Sequence, residues 1–185
     1  LVGTIRNSAL SLLRILDDIL DASKIESGKM DISSSKMELI PVVEGVSQTL
    51  RIMADDNSVR IRHYLDPNLP YWIVGDSGRL RQILLNLLSN AVKYSSATLT
   101  GRDGVIWFLV GLDKQGNLQF TIRDNGVGMN AKTLATIFDP FVQGDGPRKM
   151  QTSGTGLGLV IAQNLVTLMG GTLTVKSTEG DGSEF

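Results

Sequence analysis

The sequence has no cysteine, a single histidine and no excess of either charge: 18 Lys and Arg stand against 19 Asp and Glu in 185 residues, for a net −1. Without cysteine, disulfides, zinc fingers and thiol nucleophiles are excluded. One histidine excludes the common multi-histidine metal sites. A near-zero charge argues against a sequence-independent grip on nucleic acid, which needs a basic surface, so no nucleic-acid partner is expected. No apolar run approaches the ~18 residues that a membrane-spanning helix requires. No basic leader or cleavage site opens the chain, and a cytoplasmic location is expected, in a parent that is free to be membrane-anchored elsewhere. What is present is a 42% hydrophobic fraction, enough to bury a core, in a length that suits one domain with a small appendage. The chain starts at Leu1 in what reads as a helix and stops at Phe185 after Gly182-Ser183-Glu184. Both ends are expected to be cuts through structure, with the last strand truncated.

Residues 1 to about 27 read as a helix. Ile5, Ala9, Leu12, Leu16 and Ile19 form a heptad seam, and Leu10, Leu13 and Leu20 widen the apolar face. Half of a helical hairpin or dimer stalk explains this pattern; an amphipathic helix lying over the globular domain is the plainer alternative. Gly28 suits the helix end. Met30 to Met37 is a polar linker or edge strand. Helical periodicity returns over Val42 to Asp55, with Pro41 fitting the first turn. Val59 to Tyr64 alternates as a strand, and Trp72 to Val74 is a short one. Asp76 or Ser77 caps the strongest helix, Arg79 to Tyr94. Val105 to Leu112 and Leu118 to Asp124 are strands joined by the turn Asp113 to Asn117. Short helical character follows at Lys132 to Phe138, then an apolar helix at Leu157 to Met169, a stop at Gly170-Gly171, and a strand beginning at Thr172 to Val175.

Glycine is unevenly spread: five lie in residues 1–100 and fifteen in 101–185, and part of that excess clusters in two spaced groups flanking a long loop around Gly144. The first group is Asp124-Asn125-Gly126-Val127-Gly128-Met129. A strand delivers a carboxylate at its end, and the glycines let the backbone turn and approach a flat ligand. Such a carboxylate can accept a hydrogen bond from an exocyclic amine like that of adenine. A tight turn capped by Asp is the alternative. The second group, Gly154-Thr155-Gly156-Leu157-Gly158, opens an apolar helix, where free N–H groups make an anion cradle. It is neither a Walker loop nor a Rossmann fingerprint; a flexible linker is the alternative.

Two further stretches complete the set. In the helix ending at Tyr94, Asn86 and Asn90 share one face and Lys93 lies near it. Amide oxygens are hard ligands suited to Mg²⁺, and an ammonium suits phosphate; two asparagines bonded to neighbouring loops are the alternative. Phe138-Asp139-Pro140-Phe141 precedes a loop tipped by Arg148-Lys149, so two aromatics could anchor a lid, or simply pin a loop.

These four stretches, in this order, resemble the N box, first glycine box, F box and second glycine box of sensor histidine kinases, in the ATPase superfamily that includes gyrase B, Hsp90 and MutL. The resemblance covers residues 30–185 as an ATP-binding catalytic domain. Residues 1–29, through Asp17-Asp18-Ile19-Leu20-Asp21-Ala22-Ser23-Lys24-Ile25-Glu26-Ser27-Gly28-Lys29, resemble the second helix of a dimerisation and phosphotransfer domain of the hybrid type. The implied fold is an α/β sandwich: a mixed, mostly antiparallel sheet with helices on one face and a flexible ATP lid, preceded by one long helix. The implied cofactors are ATP and Mg²⁺. Position by position, Asn90 would coordinate Mg²⁺, Asn86 would help position it, Lys93 would contact phosphate and Tyr94 would lie beside the nucleotide. Asp124 would recognise the adenine amino group in a pocket shaped by Gly126 and Gly128. Phe138 and Phe141 would anchor the lid, and the backbone of Gly154, Thr155, Gly156, Leu157 and Gly158 would close on the phosphates.

The implied reaction moves the ATP γ-phosphoryl to a histidine of a dimerisation domain, in cis or in trans, and then to an Asp of a response-regulator receiver. A homodimer through the first helix is one implied arrangement. The family carries its acceptor histidine on an earlier helix than any seen here. His63 lies in an expected strand among Arg60, Arg62 and Tyr64 and reads as an ordinary strand residue. The alternatives are a kinase-like regulatory module without turnover, or another ATPase of the superfamily.

Overall fold

The computed structural model describes residues 2–142 and 155–185, with the backbone alone at 2–8, 10, 11 and 14. The expectations placed on Gly144, Gly154 and the basic tip Arg148-Lys149 lie outside the described residues. Helix α1 spans Val2–Glu26. It ends where Gly28 turns left-handed at φ 64°, so that the Lys29 N–H can reach the Lys24 carbonyl at 2.9 Å. Strand β1 (Ser35–Glu38) follows, so the Ser-rich segment is extended only in its second half. Helix α2 (Leu39–Asp56) buries Leu39, Val42, Val43, Val46, Leu50 and Ala54 on one stripe.

Strands β2 (Val59–Leu65) and β3 (Trp72–Gly75) come next. Helix α3 (Ser77–Tyr94) starts where the Asp76 carboxylate accepts the Arg79 N–H at 3.0 Å. A single turn, α4 (Ala97–Thr100), leads into β4 (Gly104–Leu112) and β5 (Leu118–Asp124). The short α5 (Ala131–Thr136) precedes the undescribed segment; α6 (Gly158–Leu168), β6 (Lys176–Thr178) and β7 (Gly182–Glu184) follow it.

The main sheet has five strands in the order β2-β4-β5-β7-β6, while β1 and β3 form a separate two-stranded ribbon. Only the β2–β4 pair of the main sheet is parallel; its other pairs are antiparallel. Along β4, Ile106, Phe108 and Val110 are buried while Leu109 between them is exposed, so one face of the sheet carries the core. Helices α2, α3 and α6 pack there, contributing Val43, Val46, Leu84, Leu88, Ile161 and Leu165 to a single apolar cluster. This is the expected two-layer arrangement.

Two expectations need correction. The strand expected at Thr172 to Val175 begins instead at Lys176. Its ladder partner β7 runs only from Gly182 to Glu184, and Glu184 is already opposite Lys176, so the preceding residues have no strand to pair with. The plainer reading of α1, as a helix lying over the domain on its apolar face, also fails. Ala9, Leu12, Leu16 and Ile19 of the seam are exposed, as are Leu13 and Leu20 of the second stripe.

Candidate functional site

Asp124 occupies the last position of β5, on the same parity as Ile122. It therefore points to the core side of the sheet, beneath α3, and is only 5% exposed. Its Oδ1 accepts the Gly126 N–H at 2.8 Å and the Ser183 N–H at 3.3 Å. Burial raises its pKa above the ordinary carboxylate range; the Gly126 and Ser183 N–H groups, together with the polar hydroxyl of Ser95, oppose that rise. Its Oδ2 accepts no hydrogen bond among the described residues. A buried acceptor with a free oxygen is suited to a donor on a flat ligand.

The turn after Asp124 is built against the end of α3. The Val127 N–H donates to the Tyr94 carbonyl at 3.1 Å. A Cβ on Gly126 would stand 2.5 Å from that carbonyl, so only glycine lets the two segments meet. On its other side the turn is stitched to the β6–β7 hairpin: the Gly180 N–H donates to the Val127 carbonyl at 2.7 Å, and the Met129 N–H to Ser177 Oγ at 2.9 Å. Gly128 sits between these two bonds, against Thr178.

Helix α3 also reaches the second glycine group. Asn86 Nδ2 donates to the Gly158 carbonyl at 3.1 Å, which fixes the first turn of α6 against α3. That leaves the Asn86 amide oxygen without a protein donor among the described residues. The Asn90 side chain, one turn on, makes no hydrogen bond among them, and Lys93 Nζ lies 5.1 Å from the centroid of the Tyr94 ring. Half-buried and partly unengaged, these side chains line the solvent edge of a helix whose opposite face is core.

At the start of α6, the Leu157 side chain is buried in the core and its N–H donates to Thr155 Oγ1 at 3.2 Å, so only the backbone of Leu157 faces the site. The Thr155 hydroxyl in turn donates to Asp18 of α1 at 3.1 Å. Gly156 packs on the Phe141 backbone, where an added Cβ would lie 3.0 Å from the Phe141 Cα. Phe138 is half-buried, whereas the Phe141 ring is 71% exposed; Phe141 meets the second glycine group through its backbone.

The structure thus brings Tyr94 to Gly126, Asn86 to Gly158 and Phe141 to Gly156. Among the described residues, neither the Asn90 nor the Lys93 side chain forms a hydrogen bond with either glycine group. Sequence reasoning missed Ser183 and Ser177, which β7 and β6 carry to the Asp124 turn, and the Asp18 partner of Thr155. Only Ser183 had a local signal: it follows Gly182 in a stretch whose next residues pair with β5. The Phe185 N–H donates to the Ile122 carbonyl at 2.9 Å, which sets that register.

A family model described as "Histidine kinase-, DNA gyrase B-, and HSP90-like ATPase" matches residues 75–185, the part that holds Asp124, α3 and α6. The chain belongs to this ATPase family. Among curated relatives of the chain, "Sensor histidine kinase GacS" of Pseudomonas protegens is 38% identical over 188 aligned residues, covering 100% of this chain and 20% of the relative. "Hybrid signal transduction histidine kinase A" of Dictyostelium discoideum is 39% identical, covering 100% of this chain and 9% of the relative. The chain therefore spans about a fifth or less of the length of these relatives. A solved structure described as full-length ShkA in complex with AMPPNP superposes with a TM-score of 0.82 at 31% identity, over 100% of this chain and 36% of that one. The histidine kinase AdeS of Acinetobacter baumannii, at 21% identity and a TM-score of 0.77, shares the fold.

Proposed function

We propose that this chain is the ATP-binding part of a sensor histidine kinase of the hybrid kind, which transfers the ATP γ-phosphoryl to a histidine imidazole. The observation that carries the reading is the joining of both glycine groups by α3, with the buried Asp124 at one end and the first turn of α6 at the other. Adenine fits the Asp124 end, because its exocyclic amine donates and Oδ2 accepts. Phosphates fit the other end, where the first N–H groups of α6 and Lys93 supply positive character.

Mg²⁺ suits the donor set as a partner of phosphate. No group of three or more His, Cys, Asp or Glu able to hold a metal occurs among the described residues, so the protein offers amide oxygens, Asn90 first and Asn86 beside it. When bound, the ion would neutralise phosphate charge. The remaining work falls to positioning: Asp124 holds the base, Tyr94 lies beside it, and Lys93 and the α6 backbone hold the phosphates. The Pγ–O bond to ADP breaks as a bond from the imidazole nitrogen to Pγ forms, which a loose transition state achieves without a strong protein base.

The acceptor histidine is proposed to come from a dimerisation domain outside this chain, in cis or in trans. His63 is exposed on β2, in register with Phe108, two strands from β5. Onward transfer to an Asp of a receiver domain follows from the same reading, as does assignment of residues 1–29 to a dimerisation helix, whose exposed apolar seam leaves room for a helical partner. No helix among the described residues is long and apolar enough to cross a membrane, which is compatible with the proposed cytoplasmic location.

Calorimetric titration tests the reading. Asn90→Ala is expected to abolish Mg-ATP binding, and Asp124→Asn to weaken ATP more than GTP. Unchanged ATP affinity in the first variant, or equal losses in the second, would remove the corresponding residue from the site.

A further inference from the structure

Ser95 closes α3 at the point where that helix meets Asp124. Its side chain is fully buried, and its hydroxyl is the only buried side-chain N or O atom without a hydrogen-bond partner among the described residues. Leaving a buried hydroxyl unsatisfied is unfavourable, so its presence calls for a physical reason. The backbone around it is fixed on both sides. The Ser95 N–H donates to the Ala91 carbonyl at 3.0 Å, and the preceding Tyr94 carbonyl accepts the Val127 N–H at 3.1 Å. The helix end that carries the hydroxyl abuts the Asp124 turn, since a Cβ on Gly126 would lie 2.5 Å from the Tyr94 carbonyl and 2.8 Å from Asp124 Oδ1; the hydroxyl favours the charge of that carboxylate, yet has no hydrogen-bond partner. Oδ1 of that carboxylate already has two backbone donors, and Oδ2 has none.

We propose that Ser95 is a positioning residue for the base end of the site: on nucleotide binding its hydroxyl donates to Asp124 and holds the carboxylate turned so that Oδ2 meets the exocyclic amine. The inference rests on the reading of Asp124 as the adenine acceptor. A change of χ1 between staggered wells is all the hydroxyl needs, since the backbone is already pinned. Among the described residues Ser95 is also the only side chain that favours the Asp124 charge; the Gly126 and Ser183 donors are backbone groups that substitution leaves in place.

The consequence is a protonation effect. Burial pushes Asp124 toward its neutral form, in which Oδ2 can carry the proton and no longer accept from an amine. Removing the Ser95 hydroxyl removes one of the three groups that oppose this, so protonation sets in at higher pH. None of the groups that shift Asp124 titrates: Ser95 faces it from α3, Gly126 from the turn and Ser183 from β7. The neighbouring charged side chains are engaged elsewhere. Lys93 lies over Tyr94, Arg123 over Trp107, and Glu184 is in register with Arg123. The titration of the nucleotide's own phosphate is common to all variants, so the difference between their pH profiles reports Asp124.

The test is calorimetric titration of Mg-ATP, Mg-GTP and Mg-tripolyphosphate into the wild-type chain, Ser95→Ala and Ser95→Thr, from mildly acidic to neutral pH. Ser95→Ala is expected to bind ATP about tenfold more weakly at neutral pH, the equivalent of one hydrogen bond to a charged group, and to lose affinity at a higher pH than the wild type. Ser95→Thr restores both, and tripolyphosphate, which has no base, binds alike to all three. If Ser95→Ala keeps the wild-type affinity and pH profile while the wild type still prefers ATP to GTP, the inference alone is overturned. If ATP and tripolyphosphate weaken together, the hydroxyl acts on the fold rather than on Asp124, and the inference is again overturned. A wild type that binds ATP and GTP alike overturns the Asp124 reading, and this inference with it.

Discussion

Helices α1 and α3 carry leucine and isoleucine at similar helical spacing, yet they end in opposite environments. On α3, Leu80, Ile83, Leu84, Leu87 and Leu88 are all buried between the sheet and the neighbouring helices. On α1, Leu12, Leu13, Leu16, Ile19 and Leu20 are exposed, Leu12 to 68%. What differs is the surroundings. Helix α3 lies on the apolar face of β4 and β5, with α2 and α6 on its flanks. Among the described residues, helix α1 meets the body through partly buried Ile25, through Asp21 and through the bond from Thr155 to Asp18. An apolar stripe states that a helix needs a partner; it does not state which one.

The sharpest way to test this contrast is to cut equal side chains from the two helices. Leu88→Ala on α3 opens a cavity in a fully buried cluster and is expected to cost about 2–5 kcal/mol. Leu16→Ala on α1 removes a side chain that is already 51% exposed and is expected to change stability by less than about 0.5 kcal/mol. Urea denaturation of the two variants measures both. Comparable losses would mean that α1 is buried in solution, most simply against a second copy, and the contrast would collapse.

The same contrast marks how far the sequence was legible. Periodicity located both helices to within about two residues at each end, because α3's pattern is set by the core it covers and α1's by a comparable seam. It located Asp124 as well, since strand alternation that brings Ile122 inward brings Asp124 inward too. It did not show that Ser95 and Ser183 converge on that carboxylate, because those contacts join α3, β5 and β7 across long stretches of chain. Nor did it show that Asp21 meets Arg79, 58 residues away. The strand expected at Thr172 to Val175 failed for a related reason: β-forming residues need a ladder partner, and β7 supplies one only from Lys176 onward.

A second experiment uses Asp124, the one charged side chain buried among the described residues. Burial raises the pKa of Asp124 in the fold, so the stability it contributes is full below the unfolded pKa and is lost as pH rises through the folded one. At neutral pH the unliganded protein therefore bears the penalty of a buried charge. Asp124→Asn keeps the shape and an acceptor oxygen while removing the charge. Without nucleotide it is expected to melt higher at neutral pH by about 2–4 °C, the shift that about 1 kcal/mol gives a chain of this length. The difference should vanish in acid, below the unfolded pKa. Scanning calorimetry at the two pH values measures it; a variant less stable than the wild type at neutral pH would mean that the carboxylate's hydrogen bonds outweigh its desolvation. Stability gained where ligand binding is lost is the pattern expected of a residue kept for function.

The smallest expected effect concerns what holds α1 to the body. Asp21 Oδ2 accepts from Arg79 Nη1 at 3.0 Å and from Gln82 Nε2 at 2.7 Å, with its side chain only 13% exposed. These two donors sit in the first turns of α3, so one carboxylate ties the long helix to the element that carries the site. Asp21→Ala does not orphan the guanidinium, because Arg79 also donates to Gln82 Oε1 at 2.8 Å. The loss is therefore smaller than for a buried charge left alone, and it is local to α1 rather than global. Limited trypsin digestion reads it directly at Lys24, an exposed residue three positions on. Cleavage there is expected to be about fivefold faster in Asp21→Ala, matching about 1 kcal/mol in the opening equilibrium, while the urea midpoint of the body stays within error. Cleavage at the wild-type rate would show that the apolar contact of Ile25 alone seats the helix. In that case both helices would be held by the same force, differing only in how much of each stripe finds a partner.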